Sequence, residues 1–550
     1  TPFYGSCSAT ATMTITVGGT TTWNGASWSN GLPDASKSVV FSGNFTAAAD
    51  LNACSLSVTG SAVVNVPSGF NFTVANEVSV AGTASLTFQN NANLVQVADV
   101  ANTGSITVLR NSAPIVRLDH TLWSSPVAGQ NLFAFSPNTL PNRFYVYNTA
   151  AGNYTAAGLS AGSAFMPGRG YAVRAPNNFP ASPAAPWTGT FKGVPNNGNV
   201  SYALSTAFEG HNLVGNPYPS AVSAASFVDD AGNMSKIDGT LYFYAHSLPM
   251  DANGQFPAGT NYATWNKTGH TLATNSAVVP NGTIQVGQGF IVKAVQAGNA
   301  VFTNAMRTGN TAGQFFRTAG AAASEAEKHR IWLDLSDGQG SILSQILVGY
   351  VAGATPGFDR GYDGAAFGNT GSSIATKIGD ADYAIQARPL PFQASDAVPV
   401  AFKAAAAGNY AIALSGMDGL FSGGQDVFLK DNTAGTVHNL KSGAYAFNSP
   451  EGTFGSRFEV VYQNTLGTPD SVLASSSIVA FKKAGVLHVE AKNIEMASIK
   501  VYDVQGRLVY EKSGINASSA ALPDLQVQDQ VVLLQVTSPA GETAAIKVIL

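Results

Sequence analysis

Short segments in which apolar and polar residues alternate recur along the whole chain, and they constrain its fold more than any other feature. A period of two residues is typical of β-strands with one buried face. Between Val39 and Val108 such segments return at intervals of roughly 6 to 14 residues, separated by Gly, Asn or Ser. This spacing favours a short parallel β-helix in residues 1–110, with a β-sandwich as the alternative.

Two tryptophans lie near the start of this region. Trp23 and Trp28 belong to a polar run, residues 19–34, that contains the Asn-Gly turns at Asn24 and Asn30. Trp residues beside such turns can close the end of a β-solenoid, and exposed Trp rings can also stack on sugars. We expect the closing role at this position.

Residues 111–306 contain an internal duplication. Three motifs recur in the same order in both copies: residues 119–126 match 210–217, residues 143–147 match 240–244, and residues 166–175 match 286–294. The second copy carries insertions, chiefly residues 247–277. The repeat predicts a pseudo-symmetric β-sandwich or jelly roll. His120 and His211 match each other, which favours a structural role for both.

The next region is predicted to be a linker followed by another β-sandwich. Residues 307–328 are rich in Ala, Gly and Thr, and helical propensity is concentrated in residues 321–328. Residues 329–464 then show alternating strands with turn residues between them. Asp359 and Asp363 lie in a loop here; we favour hydrogen bonds to loop amides over a bound cation.

The last part of the chain, residues 465–550, reads as a small β-module. Alternating segments at residues 486–489, 499–502 and 508–510 surround an Asp-x-x-Gly-Arg turn, in which Gly506 is expected to have a positive φ. Residues 531–537 and 545–550 then predict a final hairpin.

This module resembles the C-terminal sorting domains of type IX secretion substrates in Bacteroidota, most closely those called type C. The resemblance rests on SIKVYDVQGRLVYEKSGIN from Ser498 and QVVLLQVTSPAGETAAIKVIL from Gln530. It implies an immunoglobulin-like β-sandwich and an exported, cell-surface protein. The implied partners are the type IX translocon and an outer-membrane shuttle protein. The implied export signal comprises Asp503, Gly506, Arg507, Tyr510 and Lys547.

Other parts of the sequence agree with that resemblance. Residues 329–463 resemble the domain that commonly precedes type C sorting domains. Residues 1–110 resemble the N-terminal parts of large surface proteins from the same bacteria. Because export is implied, Thr1 is expected to be a processed or engineered start. In an exported protein, Cys7 and Cys54 are expected to form a structural disulfide.

Charge and hydropathy exclude several classes of partner. Charged residues make up 11% of the chain and the formal net charge is −4, without a Lys/Arg cluster, so nucleic acid is not expected as a partner. No apolar run approaches the roughly 18 residues that a transmembrane helix needs. The two distant cysteines lack metal-ligand spacing, and the loop at Asp251 lacks the ordered ligands of a calcium site. We therefore expect no metal or cofactor.

The sequence also lacks recognisable catalytic motifs. No Gly-x-Ser-x-Gly, His-Glu-x-x-His or Cys-His pattern is present, and the Gly-x-Gly pairs in the duplicated region are followed by strands and not by helices. We therefore expect a non-enzymatic adhesin or glycan-contacting protein, in which Trp23, Trp28, Trp123 and Tyr218 stack on sugars. The alternatives are a polysaccharide-active enzyme and a structural surface or filament component.

Overall fold

The computed structural model describes residues 18–156, 158–251, 257–309, 327–464 and 478–549, the last range without 484, 492–494, 526–529, 540 and 542. These residues form β-strands with a few short helices, which confirms the all-β class. The chain divides into two compact units, residues 1–464 and 465–550. In the described part of the chain, no helix is long and apolar enough to cross a membrane.

The first unit begins with a three-sided parallel β-helix. Its strands are β1 (Thr20–Trp23), β2 (Ser38–Phe41), β3 (Phe45–Thr46), β4 (Leu51–Ala53), β5 (Ser55–Val58), β6 (Val63–Val66), β7 (Asn71–Val74), β8 (Val78–Val80), β9 (Ser85–Phe88), β10 (Asn93–Gln96) and β11 (Ile106–Ile115). Three parallel stacks form its sides: β1-β2-β5-β8, β4-β7-β10 and β3-β6-β9-β11.

The repeated apolar positions form the core of this β-helix. Val39, Leu56 and Val78 occupy the same register position on neighbouring coils and are buried. The predicted β-helix is therefore confirmed, and the sandwich alternative does not apply. β11 continues past residue 110 and leaves the helix by pairing antiparallel with a later strand, so the predicted boundary at 110 falls within a strand.

The duplicated region follows. Its elements are β12 (His120–Trp123), β13 (Val127–Ala128), α1 (Leu132–Phe135), the 3-10 turn Pro141–Arg143, β14 (Phe144–Asn148), β15 (Asn153–Ala156), β16 (Tyr171–Arg174), β17 (Ala185–Pro195), β18 (Val200–Leu204), β19 (His211–Gly215), β20 (Ala221–Ser223), α2 (Ala224–Asp229), α3 (Ala231–Met234), β21 (Ile237–Tyr244), β22 (Tyr262–Trp265), β23 (His270–Thr271), β24 (Thr283–Ile284), β25 (Gly289–Ala294), β26 (Gly298–Phe302), the 3-10 turn Asn304–Met306 and β27 (Arg307–Thr308).

The two copies have the same sheet order and the same register. The first copy forms β12-β16-β14-β15, and the second forms β19-β25-β21-β22-β23. His120 pairs with Arg174 in the first sheet, and His211 pairs with Lys293 in the second. The internal repeat of the sequence is therefore a repeat of strand pairing.

Reciprocal backbone hydrogen bonds join the two copies. The Ser124 amide donates to the Gly287 carbonyl (2.9 Å), and its counterpart Gly215 donates to Gly168 (3.0 Å). Both acceptors are the first glycine of a Gly-x-Gly pair, and both have a positive φ. The end of β12 in the first copy therefore pairs with the Gly-x-Gly segment of the second copy, and β19 pairs with that of the first.

The third region forms one continuous sheet. Its elements are β28 (Lys328–Asp337), β29 (Ile342–Val351), β30 (Gly364–Ala365), β31 (Ser373–Ile378), β32 (Ala381–Pro389), β33 (Ala397–Ala404), β34 (Gly408–Met417), the 3-10 turn Gly419–Ser422, β35 (Phe428–Asp431), β36 (Thr436–Asn439), the 3-10 turn Leu440–Ser442, β37 (Tyr445–Ser449) and β38 (Gly452–Val461). The sheet order is β36-β35-β38-β33-β31-β32-β29-β28-β34-β37, with β30 paired to β32.

Both ends of the predicted linker 307–328 belong to strands. Arg307–Thr308 forms β27, which pairs with β20, and Lys328 begins β28. The expected helical turn in residues 321–328 is therefore wrong at Lys328, while residues 321–326 lie outside the described residues. Lys328 is extended because it pairs with Val351 at the start of the β28–β29 ladder.

The second compact unit contains two antiparallel sheets. Its strands are β39 (Ile478–Lys483), β40 (Val486–Ala491), β41 (Met496–Tyr502), β42 (Leu508–Ala517), β43 (Ser519–Leu522), β44 (Val531–Thr537) and β45 (Thr543–Ile549). β39-β40-β43 forms one sheet and β42-β41-β44-β45 the other, and both contribute to one apolar core. The predicted strands and the final β44–β45 hairpin are confirmed.

Candidate ligand-binding cleft

Trp23 and Trp28 close the first coil of the β-helix. Their ring centroids lie 5.4 Å apart, Trp23 contacts Phe45 at 5.3 Å, and Trp28 contacts Phe41 at 5.6 Å. Both rings are half-buried against the core. This arrangement agrees with the closing role expected from the Asn-Gly turns.

Trp123 and Tyr218 are buried, so their predicted role as glycan contacts is wrong. Trp123 is 1% exposed and packs against Phe135, Trp187 and Phe191. The Tyr218 hydroxyl donates to the Gly198 carbonyl at 2.6 Å, inside the fold. Trp123 belongs to the apolar core that includes the β-helix, and Tyr218 belongs to the core of the second copy. The local sequence does not show this burial.

The cysteine and carboxylate predictions have different outcomes. Cys54 is half-buried, with the Asn76 amide nitrogen 3.3 Å from its Sγ. Cys7 lies outside the described residues, so the disulfide stays a prediction.

Asp363 accepts hydrogen bonds from the Ala387 and Asp359 amides, as expected for a loop-ordering carboxylate. Within the described ranges, no three potential ligand side chains cluster as a metal site would require.

A cleft of about 520 Å³ lies between the second copy and the third region. β22, β23 and the turn between them form one wall, and β28 with its neighbours forms the other. The insertion at residues 247–277 supplies the first wall. The cleft is lined by aromatic, amide and basic side chains, chiefly Trp265, Asn266, Lys267, His270, Asn281, Lys328, Arg330, Trp332 and Tyr362.

Two tryptophans give the cleft its apolar surfaces. The Trp332 Nε1 donates to the His270 carbonyl at 2.8 Å, which fixes the orientation of that indole. Gly282 has a φ of +77°, and a Cβ there would lie 3.2 Å from the Trp265 ring. Both side chains are half-buried, so part of each remains exposed to solvent, and the Arg330 guanidinium lies 5.2 Å from the Trp332 ring centroid. Flat aromatic faces beside amide groups are the usual components of a sugar-binding site.

Two cations of the cleft form ion pairs with acids, and the Lys328 Nζ donates to the Lys267 carbonyl. Lys267 pairs with Asp229 at 2.9 Å, and Arg330 pairs with Asp418 at 2.6 Å. Burial, assisted by the charge of Arg330, lowers the pKa of His270 to about 4, so its imidazole is neutral at pH 7. The cleft therefore suits an uncharged polar ligand better than an ionic one.

The sequence contained a signal for one of these tryptophans. In β28 the residues Ile331, Leu333 and Leu335 are fully buried, so Trp332 occupies the alternate, outward register. A large aromatic residue at an outward position is a candidate for a binding surface when other apolar side chains lie beside it. For Trp265 the sequence contains no such signal, because the residues on the opposite wall of the cleft, in β28 and its neighbours, are far from it in sequence.

The residues predicted to form an export signal lie in and beside the Asp503 turn of the second unit. The Asp503 carboxylate accepts hydrogen bonds from the Gln505 and Arg507 amides and from the Arg507 Nε at 2.7 Å. Gly506 has a φ of +79°, as expected. A concave surface of about 440 Å³ brings Asp503, Gly506 and Lys547 together, whereas Tyr510 is not part of it.

The fold and the cleft define a multidomain all-β protein with a candidate binding site between two of its sheets. Residues 16–462 match the family described as a domain of unknown function (DUF8693), and the chain belongs to this family. Residues 466–550 match a second domain of unknown function (DUF8694). No curated protein matches the chain.

Solved structures offer only distant similarities. One is a "Biofilm associated protein - BSP domain", which is 11% identical, with 80% of this chain and 90% of that chain covered and a TM-score of 0.12. Another is Salmonella alpha-2-macroglobulin reacted with methylamine, which is 10% identical, with 81% and 33% covered and a TM-score of 0.12. Scores this low carry no conclusion about fold or function.

Proposed function

We propose that the protein is an exported cell-surface adhesin that binds a neutral glycan in the cleft between β22–β23 and β28. The observation that carries this proposal is the pair of half-buried indoles, Trp265 and Trp332, beside amide side chains and neutralised cations. Stacking on a sugar ring combined with hydrogen bonds to hydroxyl groups would supply affinity and orientation.

Binding without turnover is part of the proposal. Glycoside cleavage generally needs two carboxyl groups on opposite sides of the scissile bond. Among the described side chains that line the cleft, Glu327 supplies a carboxylate, which pairs with His329 at 3.2 Å. Asp229 and Asp418 on the rim are each held in an ion pair with a cation. The lining therefore favours recognition over hydrolysis.

The glycan proposal can be tested on the full chain with a broad panel of neutral and acidic glycans and product analysis on each. We expect saturable binding without released products. Trp332→Ala should weaken it at least tenfold, while Phe208→Ala, a change at an exposed ring elsewhere, should leave it unchanged. Released oligosaccharides, or equal binding by both variants, would contradict the proposal.

Export is proposed to depend on the second compact unit, which the type IX translocon and its outer-membrane shuttle protein would recognise. The support is the resemblance to type C sorting domains together with the ordered Asp503 turn beside the final hairpin. The source would then be a member of the Bacteroidota, and the protein would reach the cell surface.

A secretion assay in a host with a type IX system tests this second part. Removal of residues 470–550 should abolish surface display. Asp503→Ala, which removes the carboxylate that orders the turn, should reduce display, whereas Asp524→Ala serves as a matched acidic control in the same unit. Display that survives the deletion would contradict the proposed export signal.

A further inference from the structure

A second concave site lies chiefly on the first copy of the repeat, and Tyr244 and Met250 of the second copy complete its wall. It is a cavity of about 210 Å³ with an almost entirely apolar lining. Its walls are formed by His120, Leu122, Tyr145, Tyr154, Ala172, Tyr244 and Met250. Most of these side chains are half-buried, so the cavity is accessible from solvent.

The repeat relates this cavity to a defined place in the second copy. Leu122 and Tyr145 both pair with Ala172 in the first sheet. Their counterparts Leu213 and Tyr242 both pair with Ile291 in the second sheet.

The outer rings also correspond. Tyr154 pairs with Tyr147 on β14, and Tyr262 pairs with Tyr244 on β21. The hydroxyl groups of Tyr154 and Tyr262 share a hydrogen bond of 2.6 Å. The two equivalent walls therefore meet at this bond.

In the second copy the equivalent place is filled by Phe367. Its ring lies 4.4 Å from His211, 4.9 Å from Tyr242 and 4.9 Å from Tyr262, between ring centroids. Phe367 follows the short strand β30 (Gly364–Ala365), so a loop of the third region presents it. In the first copy the equivalent place is the cavity.

The residue after Phe367 also fits closely. Gly368 has a φ of +69°, and a Cβ there would lie 3.2 Å from the Tyr262 ring. A larger residue would be strained both by the backbone and by this contact. Both residues of the Phe367-Gly368 pair therefore fit the second copy, the first by its ring and the second by its lack of a side chain.

Size and polarity of the cavity agree with an aromatic occupant. An apolar cavity of about 150 Å³ is large enough to hold benzene. Ala172 is smaller than its counterpart Ile291, which leaves more room in the first copy. Burial, with the nearby charge of Arg174, lowers the pKa of His120 to about 4, so the cavity wall is neutral at pH 7. Tyr145 and His120 hold each other in a T-shaped contact, with ring centroids 5.1 Å apart, so the aromatic wall is already ordered.

We propose that this cavity binds a phenylalanine side chain of a Phe-Gly loop presented by a partner protein. The chain itself shows the matching interaction in its second copy. This inference does not depend on the glycan cleft, because the two sites share no lining residue.

The probe is an acetylated, amidated peptide with the sequence Ala-Ala-Phe-Gly-Asn of residues 365–369, titrated into the full chain by NMR. A single ring supports only weak affinity, so we expect saturable binding with a Kd on the order of 1 mM. A peptide with Leu in place of Phe should bind at least tenfold more weakly. Equal binding of the two peptides would overturn the proposal.

Variants locate the binding. Ala172→Phe should fill the cavity and abolish peptide binding, whereas Ala381→Phe, at an exposed strand position, should not affect it. If Ala172→Phe fails to fold, Tyr145→Leu should still weaken binding at least threefold. Binding that survives both changes would contradict the assignment to this cavity.

Two further outcomes distinguish other occupants. Free phenol that binds as tightly as the peptide would indicate a small aromatic ligand and would overturn the choice of a protein loop. Peptide binding that appears only after Phe256→Ala, at a position outside the described residues, would assign the cavity to the chain's own Phe256. Either result would contradict the proposal.

Discussion

At the scale of single residues, Asp238 on β21 is a carboxyl group with an unusual environment. It is 3% exposed, and its Oδ1 accepts a hydrogen bond from the Thr240 amide at 2.9 Å. The nearby Arg360 donates instead to the carbonyls of Ile237 and Val228. Burial therefore outweighs the favourable contacts and raises the pKa of Asp238 to about 7.

This raised pKa makes folding stability depend on pH. Between about pH 4 and pH 7 the folded chain retains a proton on Asp238 that the unfolded chain has lost, so the free energy of unfolding falls as pH rises. The free energy of unfolding falls by about 4 kcal/mol over this range, since each unit of difference between the folded and unfolded pKa is worth about 1.4 kcal/mol. Above pH 7 the contribution is constant.

We expect Asp238→Asn to remove this part of the pH dependence, because the amide oxygen can still accept from Thr240 but does not ionise. The measurement is urea unfolding of both proteins at several pH values between 4.5 and 8. Asp380→Asn, at an exposed turn position, is the matched control and should follow the wild-type curve. Parallel curves for wild type and Asp238→Asn would contradict the assignment.

At the scale of elements, the reciprocal pairing between the two copies requires the backbone of each Gly-x-Gly segment to lie very close to the strand of the other copy. A Cβ at Gly170 would lie 2.8 Å from the Val214 carbonyl oxygen and 2.6 Å from the Leu213 side chain. Because backbone atoms of β19 cannot move aside easily, a side chain at this position would separate the two copies locally.

Gly170→Ala should therefore destabilise the protein by about 1–3 kcal/mol, the usual range for overpacking. Gly408→Ala is the matched control, since its Cβ would have no neighbour within 4 Å and its φ is not positive. That change should alter stability by less than about 1 kcal/mol. The free energies come from urea unfolding, and equal effects of the two substitutions would show that the contact is not tight.

Elements that depend on local periodicity could be predicted from the sequence, and contacts between distant elements could not. The β-helix strands and the β44–β45 hairpin follow directly from alternation and turn residues. The repeat was visible as well, but the reciprocal pairing of its Gly-x-Gly segments was not. The burial of Trp123 was missed for the same reason, since the aromatic rings that bury it belong to other elements, α1 and β17.

At the scale of the whole molecule, the two compact units have separate cores. The core of the second unit consists of residues between Ile478 and Val548, all from β39–β45 or the segments between them. Two compact units of very different size should unfold as two transitions and not as one. Unfolding enthalpy grows with chain length at about 0.7 kcal/mol per residue, so the smaller transition should carry roughly a sixth of the total heat.

Differential scanning calorimetry of the full chain tests this division, and a matched pair of substitutions assigns each transition. Val501→Ala and Val460→Ala each open a cavity at a fully buried valine, the first in the second unit and the second in the first. We expect Val501→Ala to lower the midpoint of the smaller transition alone and Val460→Ala that of the larger alone. A chain of residues 1–464 should retain the larger transition and lose the smaller. A single transition that both substitutions shift would mean that the units fold as one, and truncation of the C-terminal unit would then destabilise the whole protein.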